Sequence, residues 1–447
     1  MQTGTLKIHV FHSNTYIPLE KAKITVIQDK ETSNKQNIQD LSTDSSGITS
    51  QIELEAPPLE NSINPSDKLP YSLCDIIAEV PGYKKLTIKG CQIYPGVESI
   101  QYCHLNPIGS RENNIEDIIT ITENTLLGNY PAKIPESQFP RPNQPPSFYI
   151  SREKWLNPDT IMVHYGHPKD TNAANHKEDF KYYLKSVLAT EINPNWPKEA
   201  IKANATAVMS FALNRIFTEW YTAKNKKFHI TSSTAVDQAC IHGRNTFASI
   251  DEVVDDLFTN YIEKPNYEFP LLAQYTDGVN VKTPSGWLSQ WGSKHLADRG
   301  KTAEEILKFY YSSDIRIRKL KKMGNLTPSY PGFPLQIGST GEPVKIIQTS
   351  LNKIATHYPL IPKSNVDGNL GSVTKKAIET FQGIFNLPKT GTANYATWHK
   401  ISDIYVGISS REDYTDKFRL TEETSTPSVF IRYSPNILTL TYLDEKY

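Results

Sequence analysis

An excess of one charge, a cysteine framework and any long apolar run are all missing from this sequence. Its 48 Lys+Arg are matched by 48 Asp+Glu, so the chain has no net field for gripping a polyanion, and nucleic-acid binding is not expected. No stretch of about 18 consecutive apolar residues occurs, which argues against a membrane-spanning helix and against a membrane as partner. The start, MQTGTLKIHVFHSN, lacks a basic segment followed by an apolar one; the expectation is a soluble protein made without a Sec-type signal peptide. Four cysteines, Cys74, Cys91, Cys103 and Cys240, show no CxxC spacing. Four in a chain this long cannot staple a fold, so free thiols are expected. A phosphate loop, HExxH and a Ser-His-Asp order are also lacking. What is present, 38% hydrophobic residues with 24 Tyr and 16 Phe in 447 residues, suffices for buried cores in about three domains.

Residues 4–107 alternate apolar and polar side chains in short runs, among them LKIHVF, AKITVIQ, ITSQIEL, CDIIAEV and KKLTIKG. Period 2 with β-branched enrichment predicts strands. The clusters Asp44-Ser45-Ser46-Gly47 and Pro81-Gly82-Tyr83 separate them as turns, which predicts an antiparallel β-sandwich. The pattern resembles the carboxypeptidase-regulatory-like or transthyretin-like sandwich. His9 and His12, three apart on a strand, point to opposite faces and make a poor metal pair.

Six prolines lie between Tyr130 and Tyr149, a density that excludes helix and favours an extended linker. A PxxP ligand is the sharper reading of the same residues, and a linker the commoner one. From residue 177 the period becomes helical: Phe180, Leu184, Val187 and Leu188 share one face, and after INPNWP a second stripe runs through Ile201, Ala205, Val208, Ala212 and Ile216. Thr302 and Glu305 form a capping box before another helix. Two further amphipathic helices, each behind a glycine turn, fall within 335–400, and the tail 401–447 has strand-like runs, VFIRY and ILTLTYL, attributable to no known unit. The expected fold class is multidomain α+β: a sandwich pro-domain over 1–129, a linker over 130–157, a helix-rich domain over 158–325, a small helical domain over 335–400 and an unassigned tail.

Two segments resemble known families. LQIGSTGEPVKIIQTSL followed by VDGNLGSVTKKAIETFQGIFNLPKTGTANYATW resembles the three-helix peptidoglycan-binding module, in Leu335, Gly338, Gly341, Val344, Gln348, Asp367, Gly368, Phe381, Gln382 and Trp398 among others. The resemblance implies adhesion to wall glycan or stem peptide without catalysis; the bland alternative is a helical bundle that binds nothing. EINPNWPKEAIKANATAVMSFALNR and SGWLSQWGSKHLADRGKTAEEILKFYY resemble the opening and closing motifs of SpoIID/LytB-type domains. With a sandwich in front and a binding module behind, the chain resembles a SleC-type spore cortex-lytic enzyme of a spore-forming clostridium-like bacterium.

Glu191 is the candidate catalytic residue. It closes a helix, where outward-pointing carbonyls oppose a carboxylate, and Trp196 is expected to fold back as an apolar wall; both raise a carboxyl pKa. A carboxyl kept protonated near neutrality can protonate a glycosidic oxygen. The resemblance implies the same role, general acid of a lytic transglycosylase that cleaves MurNAc–GlcNAc bonds and leaves 1,6-anhydro ends. One carboxyl then serves in turn as acid and base, unlike the pair of ordinary glycosidases. Gln238, Tyr275, Asp277, Ser289 and Gln290 lie where the family lines its cleft, and Trp291 or Trp287 is placed to stack on a sugar ring. Relatives that bind zinc do so through a Cys…His-Cys cluster just before this glutamine; here Ser232, Val236 and Asp237 occupy that stretch, so no metal and no cofactor are expected. Cys240 and His242 form only a weak nucleophile pair.

The resemblance further implies a partner and a place. The partner is cortex peptidoglycan, the place the cortex or coat region of the spore. The activator is a Csp-type germination serine protease that cuts the stored precursor in the linker, around Tyr149 and Ile150, and so releases 1–149. Tyr130, Phe139 and Phe148 are candidate anchors over the cleft. A different class of function remains open: a non-catalytic wall-binding modifier of another autolysin, which has no need of Glu191. A third reading makes the sandwich an adhesive or inhibitory module for a protein partner.

Overall fold

The computed structural model describes residues 2–13, 15–29, 36–109, 115–128, 130–131, 133–134, 156–157, 160–265, 267, 269–322, 331, 333–394, 396–398, 400–405 and 408. Tyr149, Ile150, Phe139, Phe148 and the strand-like runs of the tail lie outside the described residues. The architecture is mixed α+β, with strand-rich sheets first, a helical region in the centre and a helical domain at the end.

The N-terminal part is a sandwich of two sheets. Its strands are β1 (Gln2–His12), β2 (Lys23–Asp29), β3 (Gln36–Ser42), β4 (Ile52–Ala56), β5 (Ser72–Glu79), β6 (Lys85–Ile93), β7 (Glu98–Leu105) and β8 (Glu116–Thr120), with a one-turn helix α1 (Glu60–Ile63) after β4. One sheet has the order β3-β2-β5-β6-β8. In the other, β1 lies between β4, antiparallel, and β7, parallel. Alternate residues of both sheets, such as Ile8 and Val10 from one and Ile24 and Ile76 from the other, meet in a single core, as period-2 patterning requires. The sequence left β3, β7 and β8 unmarked, because they depart from apolar-in, polar-out alternation: β7 buries the polar Ser99 and Gln101, and β3 and β8 expose Ile38 and Ile118. Cys74 faces Cys91 across β5 and β6, and all four cysteines are free and buried.

The sandwich does not close on itself. A two-residue strand of the central region, β13 (Thr246–Phe247), pairs antiparallel with β7 and forms the edge of the four-stranded sheet. Tyr71, Tyr94 and Leu126 belong to the central core rather than to the sandwich core. The central region begins with the short β9 (Leu156–Asn157), then β10 (Thr160–His164) and β11 (Asn175–Asp179), which form a small sheet with β12 (Ile230–Thr231). Helix α2 (Phe180–Glu191) starts where the Asp179 side chain accepts the Tyr182 N–H at 2.8 Å, and nearly every residue along it is buried. Helix α3 (Lys198–Phe217) follows Pro197, and its alanine-rich stripe is buried on most sides, so it is a core helix. Around these two lie α4 (Ala248–Leu257), β14 (Asn260–Glu263), β15 (Tyr275–Thr276), β16 (Leu288–Ser289), α5 (Gln290–Asp298), α6 (Ala303–Tyr311) and β17 (Arg316–Lys319). The capping box expected at Thr302 and Glu305 is present.

The C-terminal domain contains α7 (Glu342–Ile354), α8 (Ser372–Ile384) and further helical residues at 396–398 and 400–405, among them Trp398, which is buried. Two buried glutamines hold its turns. The Gln348 amide donates to Asp367, the Asn369 carbonyl and Thr374 while accepting from the Gly368 N–H. The Gln382 amide does the same for Thr390, the Thr392 carbonyl and Thr397, accepting from the N–H groups of Thr390 and Gly391 at 2.9 Å each. Gly368 and Gly391 have φ of +78° and +67°, which side-chain-bearing residues rarely adopt. The domain is docked: Lys181 of α2 pairs with Asp403 at 2.6 Å, and the Tyr358 hydroxyl donates to the Tyr16 carbonyl.

Replacing Gln382 by Ala strands the buried Gly391 N–H, a loss of about 1–3 kcal/mol, and also removes the partner of the Thr390 N–H. The Gln382→Ala protein is expected to show a separate, earlier unfolding of this domain in urea; a midpoint equal to the parent's would contradict the role given to this amide.

Candidate functional site

Glu191 ends α2, and its surroundings come from three parts of the chain. The carbonyls at the helix end are capped by residues that follow β8: the Asn124 amide donates to the carbonyls of Ala189 and Ile192, and the Thr125 N–H to that of Thr190 at 2.9 Å. Arg244, fully buried, donates to the Thr190 hydroxyl at 2.8 Å and to Gln92 of β6 at 2.6 Å. The Tyr94 hydroxyl reaches Asn193, whose amide donates to the Ser62 carbonyl. Sandwich residues therefore build the floor on which Glu191 stands.

The carboxyl is 4% exposed. Oε1 accepts the Ala239 N–H at 2.7 Å, while among the described residues Oε2 makes no well-formed hydrogen bond. Burial raises its pKa above the ordinary carboxyl range, against the charge of Lys133, the nearby Tyr275 hydroxyl and the Ala239 N–H, which all favour the carboxylate. A buried carboxyl beside an open cleft, with only the Tyr275 hydroxyl near its second oxygen among the described residues, is poised to hold or pass a proton.

The cleft, about 110 Å³, brings together four of the sequence-predicted residues: Glu191, Tyr275, Asp277 and Gln290. Asp277 shapes its rim, since its carboxylate accepts the N–H groups of Asn280 and Val281 at 2.9 and 3.1 Å. The other three lie behind the wall. Gln238 is buried, with its amide donating to the Val208 carbonyl and the Tyr275 hydroxyl and accepting from Tyr183, so it fixes Tyr275 rather than presenting itself to a sugar. Ser289 caps α5 through the Gly292 N–H. Trp291 packs against Trp196 at 4.9 Å between ring centroids and is 5% exposed, which leaves no face for a pyranose. Trp196 itself turns its ring N–H to the Ser62 carbonyl instead of lining the cleft. The Cys240–His242 nucleophile idea fails on contact geometry: the thiol lies 3.4 Å from the Tyr165 hydroxyl with its pKa pushed up to about 12 by burial, and the His242 ring pairs with Glu178.

Sequence reasoning missed Lys133. This residue of the proline-rich segment sends its ammonium over the rings of Tyr275 and Phe211, 4.4 and 4.9 Å from their centroids, inside the cleft. The contact is a cation–π one, reinforced by charge from Glu191 and Asp237. Burial outweighs both and pushes the Lys133 pKa down to about 8. The neighbouring Ile134 N–H donates to the Ala235 carbonyl, and the Tyr130 hydroxyl to the Glu123 carbonyl. Tyr130, Pro131 and Lys133 thus lie along the cleft. No pattern marks one lysine of a linker as a cleft residue.

Because the folded state raises the Glu191 pKa, the stabilisation it lends is complete at pH values below its unfolded pKa and is lost as pH rises through the folded value. Urea titrations of the parent and of Glu191→Gln are expected to show the parent losing stability relative to the variant from pH 4.5 upward. A difference that does not change between pH 4 and 8 would refute the raised pKa.

Comparison with known proteins identifies two segments. Residues 169–256 match the family described as stage II sporulation protein, SpoIID, and residues 340–401 match the putative peptidoglycan binding domain. A search of curated proteins found no match. Among solved structures, the minor pilin of the Gram-positive pathogen Streptococcus agalactiae aligns at 16% identity and a TM-score of 0.16, over 25% of this chain and 47% of the pilin. Glu191 and the segment Thr231–His242 both fall within the first matched segment. The chain therefore joins a SpoIID domain to a C-terminal peptidoglycan-binding domain, a combination that supports a cell-wall-degrading role with peptidoglycan as its partner.

Proposed function

We propose that the protein is a peptidoglycan lytic transglycosylase with Glu191 as its general acid and base. The observation that carries the reading is the Glu191 carboxyl, buried and raised in pKa at the head of a cleft inside the SpoIID domain. In its protonated form Oε2 donates to the oxygen between MurNAc and GlcNAc as the bond to the anomeric carbon breaks. The carboxylate so formed takes the proton of the muramyl 6-hydroxyl as that oxygen bonds to the anomeric carbon. The sugar closes to a 1,6-anhydro ring, no water is consumed, and Glu191 is returned protonated. The Ala239 N–H on Oε1 steadies the carboxylate between the two transfers.

Glu191→Gln is expected to lower release of anhydro-muropeptides by at least about 10²–10⁴-fold, read by mass spectrometry of digests, with binding to sacculi unchanged. Near-parental release by this variant would favour the non-catalytic modifier instead.

The substrate we assign is spore cortex, and the state before use a precursor cut in its linker by a Csp-type protease. Support comes from Lys133, which lines the cleft and biases Glu191 toward its ionised form, the wrong state for an acid. A cut near Tyr149 frees the far end of the segment that carries Lys133. The sandwich, by contrast, shares a sheet and a core with the central region. Release of 1–149 is therefore replaced by a narrower expectation: after a single engineered cut the fragments co-elute on size exclusion, yet activity on decoated spores rises. Lys133→Ala in the uncut chain is expected to give part of the same rise. Equal rates for cut, uncut and Lys133→Ala proteins would remove the inhibitory role.

A further inference from the structure

Outside the Glu191 cleft, a second cavity of about 520 Å³ is walled by Tyr165, His242, Cys240 and a run of serine and threonine residues from 232 to 234. His242 of its wall meets two further side chains with metal-binding atoms, His176 and Glu178. His176 and Glu178 stand two apart on β11 and so point to the same face. His242 arrives from the turn that follows Ala239, with its Nδ1 2.7 Å from Glu178 Oε1. The two imidazole rings are 4.8 Å apart between centroids, and one ligand atom from each of the three residues lies within 4.8 Å of the other two. We propose that His176, Glu178 and His242 bind one divalent transition-metal ion of the zinc type.

The donor set carries the choice of metal. Two imidazoles and one carboxylate suit zinc and its neighbours, whereas magnesium and calcium prefer all-oxygen sites. Zinc–ligand distances of about 2.0–2.2 Å require the widest pair of ligand atoms to approach and the hydrogen-bonded His242–Glu178 pair, 2.7 Å apart, to open slightly as its shared proton leaves, within reach of side-chain rotation because His176 and His242 are both exposed. The surroundings have the form of an outer shell. The Tyr165 hydroxyl donates to Glu178 at 2.8 Å, and its ring stands edge-on to both imidazoles. Such partners fix the orientation of ligands and tune their affinity. Three protein ligands leave a fourth position for water or for a polar group of a bound molecule. Sulfur is excluded: the Cys240 thiol is buried, bonded to Tyr165 and Ser186, and far from ionised. These ligands are other than the positions 232, 236 and 237 weighed from sequence, and the expectation of no metal is revised accordingly.

Bound there, the ion ties the Gln238–His242 segment to β11. That segment supplies the Ala239 N–H to Glu191, so the metal acts as a positioning element for the carboxyl and takes no part in proton transfer. The inference does not depend on the reaction assigned above.

The test uses the full chain, stripped with a chelator and titrated with zinc chloride alone, with metal analysis after dialysis. One zinc per chain and a raised thermal midpoint are expected. His242→Ala and His176→Ala should each weaken binding beyond the about 10–100-fold that Tyr165→Phe, an outer-shell change, should give. X-ray absorption should show nitrogen and oxygen neighbours only. Lack of stoichiometric zinc, unchanged affinity in a His176→Ala/His242→Ala protein with parental circular dichroism, or sulfur in the metal's shell would each overturn the proposal.

Discussion

The arrangement depends on how the end of α2 is closed. A helix terminus leaves its last carbonyls without partners inside the helix, and burying them unpaired is costly. Here the partners come from the segment after β8: Asn124 and Thr125 take the carbonyls of Ala189, Thr190 and Ile192. Arg244 and Gln92 lock the same turn from the sandwich side. Glu191 can therefore be buried at a helix end without exposing that end to water. Its raised pKa follows from the burial that this closure permits, which outweighs Lys133, the Tyr275 hydroxyl and the Ala239 N–H.

Such a site cannot be assigned to the central helices alone. The sandwich contributes the cap, a strand partner for β13 and part of the aromatic core, and the C-terminal domain grips α2 through Lys181 and Asp403. Lys181 also shares buried charges with Lys185, Asp251 and Asp255, at 3.2–3.4 Å between oppositely charged groups. A buried network of this kind adds little net stability, but it penalises any docking that leaves one charge unpaired. Complementary polar contacts thus help to place the three parts, beside the apolar residues that they share.

The sequence carried the elements whose signals are local. Period-2 runs marked β1, β2, β5 and β6, helical stripes marked α2, α3, α7 and α8, and Thr302-x-x-Glu305 marked the start of α6. Glu191, Tyr275, Asp277 and Gln290 could be gathered into one site from motif order. What escaped was non-local. Gln238 and Trp291 are polar or aromatic residues of loops and helix starts, which suits sugar binding or core packing equally, and only their partners, Tyr183 and Tyr275 for one and Trp196 for the other, decide for packing. His176 and Glu178 precede His242 by more than sixty positions, so their convergence is a property of the fold.

Lys133 shows how weak contacts can govern a strongly built site. The sandwich is held by a sheet edge, a shared core and several buried hydrogen bonds, all of which survive the loss of one peptide bond elsewhere. The described part of the linker at the cleft is held by far less: the Ile134 N–H to Ala235, the Tyr130 hydroxyl, and an ammonium over two rings. An exposed cation–π contact contributes about 0.5–1 kcal/mol and a desolvated one about 2, and the Lys133 ammonium is held against a burial penalty large enough to depress its pKa. Continuity of the chain on both sides keeps the segment at high effective concentration over the cleft. Severing one side removes that advantage while leaving the floor under Glu191 intact. On the proposed reading, proteolysis then acts on the weakest link by loss of tethering, and departure of the Lys133 charge lets the already raised pKa of the Glu191 carboxyl rise further.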